Sequence, residues 1–214
     1  GDRTQMLAAV GHDLRTPITR LRLRAEFMED EEQRRRMLAD LDEMEAMIAA
    51  TLAFARDEAA AEPAVPLDLA ALCRTVLDEA ADARGPEAAE RVSYEGPERL
   101  VVAQGRPVAL KRAVANLVGN ALNYGGAARL RLQPPDGQGR PLRLVVEDDG
   151  PGIPPAELEA VFQPFRRLEG SRNRETGGVG LGLPIARNIL RAHGGDVVLR
   201  NRAGGGLVAE ATLP

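Results

Sequence analysis

The sequence predicts an α+β protein in two parts: a helical hairpin that dimerises into a four-helix bundle, then a sheet covered on one face by helices. Three observations predict this. Residues 1–58 carry helical periodicity and no strand signal. Residues 59–66 (Ala-Ala-Ala-Glu-Pro-Ala-Val-Pro) read as a linker, because two prolines end the helix and stiffen the chain beyond it. Residues 67–214 alternate short apolar strands with amphipathic helices.

In the first part, Leu7, Leu14, Leu21 and Met28 recur every seven residues, and Gly11, Ile18 and Ala25 form a second seam. Met37, Leu41, Met44, Ile48 and Leu52 give the second helix its stripe, with a short charged connection at Glu29 to Glu32. Such a hairpin is too thin to bury a core alone, so a homodimer is expected. With Leu14 at heptad position d, His12 falls at b and points to solvent, sharing its face with Arg15 and Thr16. An attacking imidazole must be neutral and held in one tautomer. Asp13 is placed to accept a hydrogen bond from one ring nitrogen or to take its proton. Thr16 is placed to orient a water, and Pro17 to kink the helix.

In the second part, a helix is expected over 67–83, strands over 92–94 and 100–103, and a helix over 110–125. That last helix carries Asn116 and Asn120 on one face, where amide oxygens suit a hard cation such as Mg²⁺ or polar ligand groups. Strands over 129–133 and 142–147 flank a loop, 134–141, holding three prolines. Asp148-Asp149-Gly150-Pro151-Gly152 comes next; Gly150 and Gly152 let backbone approach a flat ligand, and the Asp149 carboxylate suits an exocyclic amine such as that of adenine. Gly178-Val179-Gly180-Leu181-Gly182-Leu183 opens a helix running to His193, offering backbone N–H groups to phosphate. Between Phe165 and Gly178 the chain is rich in Arg, Gly, Ser and Asn, as a ligand-gated lid would be. Strands over 196–200 and 207–212 close the domain. A lone Gly-x-Gly-x-Gly is an ordinary turn; the order of these segments gives them weight.

The net charge of −4 argues against a nucleic-acid binder. Arg34 to Arg36 are balanced by neighbouring carboxylates and read as a solvated helix face. Cys73, the one cysteine, rules out an internal disulfide and suits a reducing cytosol. No segment reaches the ~18 apolar residues of a membrane span, so no membrane contact is expected from these residues. Gly1 stands close to His12 without an initiator Met, so a piece cut from a longer chain is expected.

These motifs together resemble the sensor histidine kinases over nearly the whole chain, and in particular the EnvZ-type osmosensor subgroup. His12 to Pro17 is similar to the family's H box, Asn116 to Asn120 to its N box, and Asp149 to Gly152 to its G1 box. Phe162-Gln163-Pro164-Phe165 is similar to the F box, and Gly178 to Gly182 to the G2 box. The resemblance implies a Bergerat-type α/β sandwich ATP-binding domain after the dimeric four-helix bundle. It implies His12 as phosphoacceptor, Asp13 as its orienting or general-base partner, and Thr16 in dephosphorylation of a partner regulator. Asn120 would coordinate Mg²⁺, Asn116 would contact ATP, Tyr124 would pack on adenine and Asp149 would bind its amino group. Gly150, Gly152, Phe165, Gly178, Gly180, Leu181 and Gly182 would line the nucleotide, and Arg167 would reach its phosphates. The chain departs from the family at Asn123, where a basic residue is usual; either nucleotide affinity falls, or Arg167, Arg172 or Arg174 compensates. The implied activity is ATP-dependent autophosphorylation of His12, with transfer to an Asp of a response-regulator receiver domain and dephosphorylation of that regulator. Asn123 and Thr16 raise a phosphatase-biased or kinase-dead scaffold as the alternative. The implied setting is the cytoplasmic portion of an inner-membrane sensor kinase, with sensor and transmembrane parts upstream.

Overall fold

The structure, a computed structural model, describes residues 2–59, 62–137, 139–164 and 180–214, with 2–12, 43, 46, 47 and 49–59 described by backbone alone. The chain divides into two compact units, 1–61 and 62–214.

The first unit is a hairpin of α1 (Asp2–Glu26) and α2 (Glu31–Ala59). The turn between them ends at Asp30, whose Oδ1 accepts from the N–H groups of Glu32 (2.9 Å) and Gln33 (3.0 Å), so α2 starts at Glu31. The expected connection, Glu29 to Glu32, therefore shifts toward the N-terminus, since Glu31 and Glu32 are already helical. α1 continues through Pro17. The two helices meet through Ile18, Ala25 and Leu41, all buried. Arg22 adds a polar link from α1 to α2, at 2.8 Å to Asp42 and 3.0 Å to Glu45. Arg34, Arg35 and Arg36 pair with Glu31 and Glu32 on the solvated face. The other seam stays open: Leu14 is 43% exposed, Leu21 37%, Met37 38% and Met44 45%. Leu7 and Leu52 lie outside the residues with described side chains.

The second unit begins with β1 (Val65–Asp68), which pairs antiparallel with β3 (Val101–Gly105). The linker and first helix were expected here. Pro66 falls at an irregularity of that ladder, where its missing N–H costs no pairing. Asp68 decides where α3 (Leu69–Asp82) starts: its Oδ1 accepts from Ala70, Ala71 and Leu100 N–H groups. The Leu100 bond leads in holding its carboxyl below the usual range, against some desolvation. A 3₁₀ turn over Pro86–Arg91, which no sequence pattern predicts, leads into β2 (Val92–Glu95).

The main sheet has strand order β2-β4-β5-β7-β6, with β4 (Ala128–Gln133), β5 (Leu142–Glu147), β6 (Asp196–Asn201) and β7 (Leu207–Leu213). β2 runs parallel to β4 and every other pair is antiparallel. The period-2 pattern of each strand gives one apolar face, for example Ala128, Leu130 and Leu132 on β4. Helices α3, α4 (Pro107–Gly125) and α5 (Gly182–Ala192) cover that face. α4 contributes Leu110, Ala113, Val114, Leu117, Val118, Ala121 and Leu122 to the core. Pro107 fits its first turn, and the Glu62 carboxylate accepts from Val108 (2.8 Å) and Ala109 (3.0 Å) N–H groups. Gly126, at φ 70°, ends it. His193 joins the end of α5 to the start of α4: Nδ1–H donates to the Ile189 carbonyl, and Nε2 accepts from Arg106 N–H at 3.1 Å.

The opposite sheet face is a lattice of charged pairs. Arg131 meets Glu95 at 2.9 Å, Arg143 meets Glu210 at 2.8 Å, and Arg202 meets Glu147 at 3.7 Å.

Leu110 is 1% exposed in the middle of this core. Leu110→Ala is expected to destabilise the second unit by about 2–5 kcal/mol, read as a lower urea midpoint at unchanged m.

Candidate functional site

Three segments converge on α4. Asn116 and Asn120 are half-buried, one turn apart on the flank beside α5. The first residue of α5, Gly182, lies so close to Asn116 that an added Cβ would sit 3.5 Å from its Oδ1. Asn116 Nδ2 is buried and has no hydrogen-bond partner among the described residues. Such an orphaned donor costs about 1–3 kcal/mol, a cost that a ligand acceptor removes. At its other end α4 receives the loop after β5: Asp149 N–H donates to the Gly125 carbonyl, and Gly150 lies so near that an added Cβ would meet the Tyr124 carbonyl at 2.7 Å. Gly152, at φ 75°, turns the loop so that Asn201 accepts from Ile153 N–H (2.9 Å) and donates to its carbonyl (2.7 Å). Within this structure, the two glycines serve close packing of the loop on α4 and Asn201.

The two adjacent aspartates point opposite ways. Leu142, Leu144 and Val146 of β5 face the helices, so Asp148 continues that register, while Arg143, Glu147 and Asp149 follow the charged face. Asp148 is buried, and its Oδ1 accepts from Gly150 N–H (2.9 Å) and Leu207 N–H (3.0 Å). Asp149 is exposed and spent on arginines: Arg129 holds both its oxygens (2.7 and 2.5 Å) and Arg202 one of them (2.9 Å). The Arg129 hydrogen bonds, against slight desolvation and with help from Arg202, hold its carboxyl down at about 2. The expectation of Asp149 as amine acceptor is therefore corrected on geometric grounds. Asp148 has the inward position, and counting by twos from Leu142 is the signal that finds it.

Tyr124 presents a ring 44% exposed. Leu181 is buried and caps the start of α5, and Gly180 precedes it at φ 75°. Phe165, Arg167, Gly178 and the arginines 172 and 174 lie outside the described residues. Of the F box, residues 162–164 are described: Phe162 is buried under the Arg187 guanidinium, 4.0 Å from its ring centroid. Arg187 also pairs with Glu159 and Asp196. Burial opposes ionisation of Asp196, but hydrogen bonds from Arg191 and Arg187 prevail and hold it at about 2.

On the hairpin, Asp13 and Thr16 are exposed on α1, three residues apart; His12 lies on the same helix, and its side chain is outside the described set. The chain has two histidines. His193 has both ring nitrogens engaged by backbone groups and offers no free lone pair. Burial pushes the Cys73 thiol up to about 12, so it is no nucleophile. Among the described residues, no cluster of three or more His, Cys, Asp or Glu is arranged to hold a metal. A hard cation here would need ligand oxygens beside the Asn120 amide oxygen.

A hairpin followed by this helix-covered sheet has clear counterparts. Residues 105–214 match the histidine kinase-, DNA gyrase B-, and HSP90-like ATPase family, and residues 2–60 match the His kinase A phospho-acceptor domain. Sensor histidine kinase GtrS of Pseudomonas aeruginosa is 44% identical over 214 residues, all of this chain and 42% of that protein. Sensor protein RstB of Escherichia coli K12 is 34% identical over 211 residues, 91% of this chain and 45% of that protein. Among solved structures, full-length ShkA in complex with AMPPNP matches with a TM-score of 0.67 and 26% identity, over 98% of this chain and 45% of that one. The mycobacterial sensor histidine kinase MprB matches with a TM-score of 0.57 and 28% identity, over 71% of this chain and 97% of that one. The chain belongs to the sensor histidine kinases, uniting their phosphoacceptor and ATPase domains. It spans less than half the length of the GtrS and RstB proteins.

The Asp149 pair has a pH signature. Its carboxyl titrates at about 2 when folded, against an ordinary value near 3.8. The stabilisation is therefore complete above about pH 5 and is lost as pH falls through that interval. Asp149→Asn is expected to lower the urea midpoint at neutral pH, with the difference from wild type closing as the pH approaches the folded value.

Proposed function

We propose that this chain is an ATP-dependent histidine autokinase core. A nitrogen of the His12 imidazole attacks the γ-phosphorus of ATP, an N–P bond forms, and ADP leaves. The phosphoryl group then passes to an aspartate on a response-regulator receiver domain. The observation that carries the reading is the unpartnered Asn116 Nδ2 at the junction of α4 and α5, a donor waiting for a ligand acceptor in an ATPase fold. Asn120 would offer an amide oxygen to Mg²⁺, which suits oxygen ligands. The ion offsets phosphate charge when bound. Asp148, with Oδ1 fixed by Gly150 and Leu207, is the carboxylate for the adenine amino group, and the Tyr124 ring offers a stacking surface. The N–H groups at the start of α5 bear no side-chain cap and suit phosphate oxygens.

On the hairpin, Asp13 orients the acceptor imidazole or takes its proton, and Thr16 aligns water for dephosphorylation of the regulator. The open seam of Leu14, Leu21, Met37 and Met44 supports a homodimer through a four-helix bundle. No helix among the described residues is long and apolar enough to cross a membrane. Sensor-protein relatives more than twice as long support the reading of a cytoplasmic catalytic portion of a membrane sensor.

The test is incubation with γ-labelled ATP and Mg²⁺, wild type beside His12→Gln. Acid-labile, base-stable label in wild type and none in the variant is the expected result; label retained in His12→Gln would overturn the assignment. The two aspartates separate by calorimetry. Asp148→Asn keeps an acceptor oxygen for Gly150 and Leu207, yet should weaken ATP binding at least about tenfold, while Asp149→Asn stays within about threefold of wild type.

A further inference from the structure

Arg84 lies two residues past the end of α3, and its side chain crosses to α4. Nη2 donates to Asn123 Oδ1 at 2.6 Å, and Nη1 donates to the Ala80 carbonyl at 3.1 Å. Arg84 and Asn123 are 39 apart in sequence, so the contact is tertiary. Both acceptors are neutral and leave the guanidinium charge uncancelled. Two of its five N–H donors are engaged, and the residue is exposed.

The location matters more than the exposure. Asn116, Asn120 and Asn123 fall within an arc of about 60° on α4, at 100° per residue. Asn123 thus extends, by one turn, the face that carries the orphaned Asn116 amide and the Asn120 oxygen. The bond to Asn123 fixes a cation at the rim of that face. A bidentate fork beside a cluster of amides is the arrangement that suits the multiply charged oxygens of a polyphosphate.

We propose that Arg84, held in place by Asn123, binds the phosphate chain of the nucleotide. This inference rests on the reading of the α4–α5 junction as an ATP site. A plainer role, closing the C-terminal end of α3 through the Ala80 carbonyl, is also consistent with one of the two hydrogen bonds. The two roles differ in what they discriminate: a phosphate contact distinguishes ATP from adenosine, and a helix cap does not.

The experiment is calorimetric titration of the whole chain with ATP and, separately, with adenosine, in Mg²⁺ buffer. Arg84→Gln is expected to weaken ATP binding about tenfold and to leave adenosine binding unchanged, which also reports that the site is folded. Asn123→Ala, which frees the guanidinium, is expected to weaken ATP binding about threefold. Asn123→Lys in the Arg84→Gln background is expected to regain most of the loss, by placing a cation on α4 itself. Equal losses for ATP and adenosine, or no loss for either, would overturn the proposal. Failure of the wild-type chain to bind ATP at all would overturn the ATP-site reading, and this inference with it.

Discussion

Seven apolar side chains of α4, from Leu110 to Leu122, are buried in the core between the helices and the sheet, and their packing fixes the flank that carries Asn116 and Asn120. A helix held along one face has no rotational freedom, so its flanking positions are fixed as firmly as its core ones. Asn116 and Asn120 are such flanking residues. The burial of Leu117, Val118 and Ala121 between and beside them sets where the two amides point. The same packing fixes the C-terminal end of α4, and the loop after β5 is shaped to it through the Gly125 carbonyl and the missing side chain of Gly150. Core energetics and the geometry of the candidate site are therefore one problem. A cavity opened at Leu110 or Leu117 would displace the flank bearing Asn116 and Asn120 as well as loosen the domain.

The charged face of the sheet works differently. Ion pairs in partial contact with water contribute roughly 0–1 kcal/mol each, so the mostly half-buried lattice of Arg131, Arg143 and Arg202 with Glu95, Glu147 and Glu210 adds little to stability one pair at a time. Its effect is on specificity of pairing. Opposite charges facing one another across β2, β4, β5 and β7 favour the observed registers, and the carboxylate of Asp149 is drawn into the same system by Arg129 and Arg202. That diversion is the reason two neighbouring aspartates have unlike environments.

Much of the architecture was legible in the sequence because it is written as periodicity. The heptads of α1 and the alternation of β4 and β5 placed these elements within a few residues of where they lie. Short elements defined by one side chain were harder. β1 and the start of α3 turn on Asp68 accepting from Leu100, a contact 32 residues long that no local pattern announces. The candidate site is legible as a set of motifs, and the geometry departs from the expectation at Asp149: strand parity carries Asp148 inward and turns Asp149 toward arginines. The Arg84–Asn123 bond spans 39 residues, so no local pattern announces it; the departure from the family at position 123 points instead to arginines 167, 172 and 174.

Glu62 is the first residue of the second unit, and its carboxylate closes the opening turn of α4. The chain thus enters this unit by fastening itself to the same rigid rod that bears the two asparagines, Asn116 lying about 12 Å further along at 1.5 Å per residue. Attachment point and asparagine face share one helix. A pull on the chain at this point is borne by two hydrogen bonds to backbone amides before it reaches any side chain of the core, and once they part, Val108 and Ala109 must find water instead. The first residue of the second unit is therefore anchored at the N-terminal end of the helix that carries Asn116 and Asn120.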